Sequence, residues 1–282
     1  MNKNNNNLCN FEKKYIEPIS NYVVVSFSLF YIDEYIRHKR SSTNNISESR
    51  QLDFIYNMTC NINLLDLDII PSNWYFRIYY DNSIFNFKYN NKYPWKDFFK
   101  KYIKHKRIQF VKFKCPSFMV ENKHKNLFGT ILRLYPLFCQ DEKTSMIILF
   151  DCDNTFTQKY LDEIEKFRIS DYDYNTFSSK YETSYYMYDF NEEDRHYYFR
   201  MASFASKVKY NIEYWNKILI NISVYNDKTF ESLVTFLYNL HLSVLPNKKI
   251  KGYKDFEYGM DEIILNYQIK NLFEKNKKKL RI

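Results

Sequence analysis

Glycine is scarce in this chain: only 3 of the 282 residues are glycine. Phosphate-binding loops of the P-loop and dinucleotide-binding types need several glycines close together, because their backbone N–H groups must approach the phosphates. The sequence contains no such loop. This absence argues against a nucleotidyltransferase or phosphotransferase that depends on one.

The cysteines are few and follow no metal-binding or disulfide pattern. No two are spaced as Cys-x-x-Cys, and the five are Cys9, Cys60, Cys115, Cys139 and Cys152. An odd number without paired spacing argues against a disulfide framework and against a structural zinc site. Free thiols are typical of reducing compartments. We therefore expect a cytoplasmic protein.

Targeting and membrane-spanning patterns are also missing. The chain starts with Met1-Asn2-Lys3 and a run of asparagines, which lacks the apolar core of a signal peptide. No segment approaches the ~20 apolar residues that cross a bilayer, so we expect no transmembrane segment. Residues 1–18 are polar and predict a flexible N-terminal segment, and residues 275–282 predict a basic tail.

The net charge of +9 indicates an anionic partner. Nucleic-acid-binding motifs pair basic and aromatic residues at fixed spacings, and the sequence shows no motif of that kind. We therefore expect no nucleic-acid partner. A phosphate-bearing substrate is compatible with the charge.

Aromatic residues are abundant, with 28 Tyr and 25 Phe, and they must supply much of the core. Apolar patterns of strand and helix type alternate through the first half of the chain. They predict strands at 22–30, 74–81, 108–113 and 146–150, and helices at 53–68, 95–103, 127–138 and 157–167. This alternation predicts an α/β fold with a mostly parallel sheet flanked by helices. Predicted helices at 198–217, 230–242 and 258–273 indicate a helical C-terminal lobe.

The most informative motif is Asp151-Cys152-Asp153, which directly follows the apolar strand at 146–150. Residues i and i+2 share one side of a strand. Asp151 and Asp153 are therefore expected to point toward one site, where their oxygens suit Mg²⁺ or Mn²⁺. Most Asp-x-Asp triplets are solvated turns or helix caps, and that alternative stays open here.

Two other polar clusters fall at predicted strand ends, around Ser26 to Ser28 and Asp81 to Ser83. In parallel sheets, ligands bind at the carboxyl ends of the strands. The three clusters together therefore predict a single binding site at that edge of the sheet.

The order of these blocks resembles that of nucleotide-sugar glycosyltransferases of the GT-A type, particularly uncharacterised ones of large DNA viruses and protists. The blocks are the first strand ending in Ser-Phe, Arg-Ile-Tyr-Tyr-Asp-x-Ser at 77–83, Phe-Gly-Thr-Ile-Leu-Arg-Leu-Tyr-Pro at 128–136, and the Asp-x-Asp strand. The resemblance covers roughly residues 20 to 155, with a weaker echo at 256–266. It implies a Rossmann-like GT-A catalytic domain over 19–274. Residues 19–169 would bind the nucleotide sugar and residues 170–274 would form the acceptor side.

The resemblance also implies roles for individual residues. Asp151 and Asp153 would hold Mn²⁺ or Mg²⁺ against the diphosphate of the donor, which is expected to be a UDP-sugar. The donor-binding residues would be Ser26, Phe27, Arg77, Asp81, Ser83 and Arg133. Asp261 or Glu262 would act as the carboxylate on the side of a glycan or protein acceptor. A viral source would place the protein in the host cytoplasm or the virion.

Other interpretations remain open at this stage. Arg77 and Arg133 are equally compatible with ordinary ion pairs, and Asp261 with a favourable position at a helix N-terminus. The same carboxylates also suit a metal-dependent nucleotidyltransferase or phosphotransferase. A third possibility is a catalytically inactive binding protein of the same fold.

Overall fold

The computed structural model describes residues 8–30, 48–120, 123–124, 126–139, 142–176, 203–226 and 280–281. The predicted helices at 230–242 and 258–273, with Asp261 and Glu262, lie outside these residues. Most of the predicted basic tail does so too.

The fold is α/β, with one large mixed sheet that is mostly parallel in its centre. Its strands are β1 (Asn10–Lys14), β2 (Tyr22–Leu29), β3 (Trp74–Tyr80), β4 (Ile108–Lys114), β7 (Thr144–Phe150), β8 (Tyr174–Thr176), β9 (Ser203–Ser206) and β10 (Leu280–Arg281). The strand order is β1-β4-β3-β2-β7-β9-β8-β10. Strands β4, β3, β2 and β7 run parallel, whereas β1 and β9 are antiparallel to their neighbours. A short hairpin, β5 (Met119–Val120) with β6 (Lys123–His124), stands apart.

Helical segments pack on both faces of the sheet. The α-helices are α1 (Glu48–Asp66), α2 (Pro94–Tyr102), α3 (Gln158–Ile169) and α4 (Ile212–Asn226). In the part of the chain that the structure describes, three 3₁₀ segments span Asn82–Asn86, Pro116–Phe118 and Asn126–Phe138. Helices α1, α2 and α3 bury their apolar residues in one core, and α4 and the 126–138 segment bury theirs in the core on the opposite face.

The central strands form because most of their residues are apolar and buried. In β2, alternate side chains enter opposite cores: Val24 enters the core beside α4, whereas Val25 and Phe27 enter the core beside α1. A continuous apolar run of this kind is typical of parallel strands that are covered on both faces.

Two predictions are wrong in the described residues. Residues 10–14 of the segment predicted to be flexible form β1, which pairs antiparallel with β4. In the described part of the helix predicted at 198–217, residues 203–206 form strand β9 and helix α4 begins only at Ile212. Strand β9 is paired on both sides, by β7 and β8, and this pairing overrides the local helical preference. The 127–138 helix is of the 3₁₀ type.

The number and spacing of the cysteines argue against a disulfide framework, yet the structure contains one disulfide. Cys9 and Cys115 form a disulfide that joins the residue before β1 to the residue after β4. Disulfides are rare in reducing compartments. This bond therefore weakens the cysteine-based argument for such a compartment, and a cytoplasmic location stays a prediction.

None of the helices in the described ranges combines the length and the apolar character that crossing a bilayer requires.

Candidate functional site at the carboxyl edge of the sheet

The carboxyl ends of β2, β3 and β7 lie along the same edge of the sheet because these strands are parallel. From β2 the chain proceeds to β3 and β4 on one side, and β7 joins β2 on the other. The direction of strand addition therefore reverses beside β2. Open α/β sheets bind their ligands at such a reversal.

Arg133 and Asp151 meet at this edge. An Nη1 atom of Arg133 forms an ion pair with Oδ1 of Asp151, and both side chains are largely buried. The hydroxyl of Ser26 donates a hydrogen bond to the backbone carbonyl of Arg133 at 2.7 Å. Three residues that are distant in the sequence, each predicted to belong to the site, are thus held together.

The 126–138 segment reaches Asp151 because it packs closely against the end of β2. The ring of Phe30 occupies the space that a Cβ atom on Gly129 would fill. A glycine is therefore needed for this close approach. On either side of Arg133, Leu132 and Leu134 are buried and anchor the segment in the core.

Helix α1 holds the turn after β7 from the other face of the sheet. Asn57 donates to the backbone carbonyl of Asp153 at 3.0 Å. The fully buried Asn61 makes two bonds: its amide nitrogen donates to the carbonyl of Asn154 at 2.9 Å, and its oxygen accepts from the backbone N–H of Phe156 at 2.9 Å. Since residues i and i+4 share one side of a helix, α1 supplies a paired support for this turn.

Cys152, between the two aspartates, points away from the site into the core and is buried. Its thiol donates to the carbonyl of Ser28 at 3.4 Å. Burial raises the pKa of the Cys152 thiol to about 12, and the neighbouring Asp153 carboxylate adds to this effect. The thiol is therefore a structural group that ties β7 to β2.

Asp151 and Asp153 lie in a turn after β7, not in the strand whose alternation was expected to point both carboxylates to one site. Asp153 is exposed, and Asp151 already has the Arg133 guanidinium as its partner. Across the described ranges, no three His, Cys, Asp or Glu side chains gather as a metal-binding group. Mg²⁺ is commonly held by one or two carboxylates together with substrate phosphates, and two aspartates are enough for that arrangement.

Asp81 and Ser83 lie on the same edge but are engaged with each other and with His124. Asp81 accepts from the backbone N–H of Ser83 at 2.9 Å, from the Ser83 hydroxyl, and from Nδ1 of His124 at 2.6 Å. Asp81 and His124 are both almost fully buried. Strand β2 separates Asp81 from Asp151, so the two lie two strand spacings, or roughly 10 Å, apart. Asp81 thus organises its own cluster beside the Arg133–Asp151 pair.

Arg77 and Phe27 are not brought to the site. Arg77 is buried within the sheet, where its guanidinium donates to Gln109 at 2.7 Å and to the Tyr22 hydroxyl at 3.0 Å. The ring of Phe27 is fully buried and contacts the ring of Phe76 edge-on. Neither side chain offers surface to a nucleotide, so these two placements disagree with the predicted donor site.

A cavity of about 340 Å³ lies elsewhere, between β1, the 126–138 segment and α4. Its wall includes Phe11 stacked on Tyr135, with Trp215 edge-on to Tyr135, and no charged residue lines it. Three strands separate its β1 wall from β7. This cavity therefore offers no cationic side chain to the phosphates of an anionic donor.

The residues that sequence reasoning missed are Asn57, Asn61 and His124. Asn57 and Asn61 stand four residues apart on a predicted helix, and this spacing is the one signal that could have drawn attention to them. No pattern distinguishes His124. No protein-family model matches the chain, and no curated protein is significantly similar to it in sequence.

Proposed function

We propose that this protein is a metal-dependent glycosyltransferase. It would move a sugar from a nucleotide-sugar donor, most suitably a UDP-sugar, to a glycan or protein acceptor, with Mn²⁺ or Mg²⁺ as cofactor. The observation that carries the proposal is the meeting of Arg133 with Asp151 at the sheet edge where strand addition reverses. The strand order β4-β3-β2-β7 supports a Rossmann-like, GT-A type of domain.

The charges at this edge suit a cation–diphosphate pair. Asp151 and Asp153 offer carboxylate oxygens to a divalent cation, and Arg133 offers N–H donors to phosphate oxygens. Glycosyl transfer releases a nucleoside diphosphate on which negative charge grows. A divalent cation bound there would supply positive charge against that leaving group.

The residues of the chain would act by positioning and electrostatics. Arg133 would stabilise the charge developing on the leaving diphosphate, and the α1 asparagines would keep the turn bearing Asp153 in place. In an inverting reaction, a carboxylate on the opposite side would remove the proton from the acceptor hydroxyl. Asp261 or Glu262 remains the proposed source of that group.

The test is turnover of a panel of UDP-sugars, with and without Mn²⁺, for the wild type and Asp153→Asn. Release of UDP that depends on both the metal and Asp153 would support sugar transfer. The matched control is Asp162→Asn, which alters an exposed aspartate of α3. This variant should keep wild-type turnover.

The products of the reaction distinguish sugar transfer from nucleotidyl transfer and from binding without catalysis. Release of pyrophosphate from a nucleoside triphosphate would indicate nucleotidyl transfer instead. Binding of UDP-sugar without turnover, whatever the metal, would indicate an inactive binding protein. Wild-type turnover by Asp153→Asn would remove the aspartates from the mechanism.

A further inference from the structure

Arg133 occupies the position on Asp151 that a divalent cation would need. Its guanidinium pairs directly with a carboxylate oxygen of Asp151. Its backbone carbonyl is fixed by Ser26 at 2.7 Å, and its neighbours Leu132 and Leu134 are buried. The backbone of Arg133 is therefore anchored, and a change of partner would require only its long side chain to move.

We propose that Arg133 acts as an exchangeable internal cation. It neutralises Asp151 when no donor is bound, and it transfers to the diphosphate when donor arrives, which releases Asp151 to the metal ion. The metal and the diphosphate then load as a coupled pair. This inference rests on the proposed function and concerns the regulation of the same site.

The charge balance explains the coupling. The paired Asp151 carboxylate and Arg133 guanidinium carry no net charge together. A divalent cation alone would add positive charge beside the guanidinium and would compete with Arg133 for Asp151. A diphosphate alone would add negative charge beside Asp151 and would have to draw Arg133 away from it. When both bind, the cation takes the Asp151 carboxylate and Arg133 takes a phosphate oxygen.

The two ligands must therefore strengthen each other by the same factor, because coupling between binding sites is reciprocal. Coupling of this kind is typically on the order of 5- to 150-fold. For the wild type we expect UDP to raise Mn²⁺ affinity by a factor within that range, and Mn²⁺ to raise UDP affinity equally.

The test is a binding assay that requires no turnover. It measures free Mn²⁺ by electron paramagnetic resonance in the presence and absence of UDP. Arg133→Gln should bind Mn²⁺ alone more tightly than the wild type, on the order of tenfold, and should lose most of the coupling. Arg133→Lys keeps the charge and should retain part of it. The matched control is Arg168→Gln on α3, which removes an exposed arginine paired with Glu165 and should behave as wild type.

A second variant tests the exchange by changing Asp151, the partner of Arg133. In Asp151→Asn the carboxylate that holds Arg133 is gone, so the guanidinium is released to a diphosphate. We expect UDP affinity without metal to rise several-fold in this variant, although metal binding falls.

The outcomes separate this inference from the function on which it rests. If the wild type binds no Mn²⁺ even with UDP, the proposed metal-dependent function fails. If the wild type binds Mn²⁺ equally with and without UDP, and Arg133→Gln changes neither affinity, the exchange is overturned while the metal site stands. A fall in metal-free UDP affinity in Asp151→Asn would also overturn it.

Discussion

His124 donates a hydrogen bond from Nδ1 to a carboxylate oxygen of Asp81 at 2.6 Å. The proton must be on Nδ1, because Nε2 of the same ring accepts from the backbone N–H of Cys115 at 3.0 Å. The ring also packs against the aromatic rings of Phe113 and Phe128. Asp81 is thus satisfied within the protein by three internal hydrogen bonds.

We predict that Asp81→Asn impairs stability more than donor binding. The new amide nitrogen would face a hydrogen-bond donor of His124 or Ser83, and a buried polar group would lose its partner. The expected loss in free energy of unfolding is roughly 2–3 kcal/mol. Chemical denaturation and UDP titration of the same preparation would measure both effects. Unchanged stability with selective loss of UDP binding would make Asp81 a donor-binding residue instead.

A second prediction concerns Asn61, which holds the turn after β7. Asn61→Asp keeps an acceptor for the N–H of Phe156 but cannot donate to the carbonyl of Asn154. We expect a loss of about 1–3 kcal/mol in stability and weaker Mn²⁺ binding in the presence of UDP. Asn57→Asp is the matched variant at a more exposed bond on the same helix, and its effect on stability should be smaller. Equal effects would show that the burial of Asn61 is unimportant.

A third prediction is the number of free thiols. Cys60, Cys139 and Cys152 keep their thiol groups, and Cys9 is joined to Cys115 by a disulfide. In denaturant without reductant, three thiols should therefore react, and all five of the sequence should react after reduction. Cys9→Ser should lower the free energy of unfolding by roughly 2–4 kcal/mol. Five reactive thiols before reduction would contradict the disulfide.

The fourth prediction follows from the buried thiol of Cys152. Its pKa is raised to about 12 in the folded chain, from an ordinary value of 9.0. Between these values the unfolded chain releases a proton that the folded chain retains. The contribution of Cys152 to stability is therefore complete below about pH 9 and declines as the pH rises toward 12.

A comparison of variants separates the contribution of the Cys152 thiol from that of other groups that titrate at alkaline pH. Cys152→Ala should lose less stability than the wild type between about pH 8 and about pH 10.5. Cys60→Ala removes a less buried free thiol and serves as the comparison. Parallel pH curves for wild type and Cys152→Ala would show that this thiol ionises normally in the folded protein.

The central sheet could be predicted because the apolar runs of its parallel strands are visible in the sequence. Residues 146–150 of strand β7 are an unbroken apolar run that Asp151 follows directly, and the strand and its end position can be predicted from that pattern. Strand β1 could not be predicted in this way. It lies at the sheet edge, so most of its residues are exposed and polar, and only Phe11 packs inward.

Some residues of the candidate site could likewise be predicted from the sequence, and others could not. Asp151 and Ser26 could be predicted from their places near strand ends, and Arg133 came from the family resemblance. The contributions of Asn61 and His124 could not be predicted, because each depends on partners far away in the sequence. Asn61 bonds to backbone groups more than 90 residues away, and His124 to a carboxylate 43 residues away. The resemblance implies that Phe27 binds the donor, yet its place in the strand alternation turns its ring into the core.

Strand β1 also has a consequence for the behaviour of the chain in solution. It covers the hydrogen-bonding edge of β4, which would otherwise offer a template to another molecule. Its outer positions include Glu12, Lys13 and Lys14, whose charges discourage further strands from adding. Strand β1 thus opposes edge-to-edge self-association of the sheet. The disulfide between Cys9 and Cys115 holds β1 against β4 and so preserves this protection.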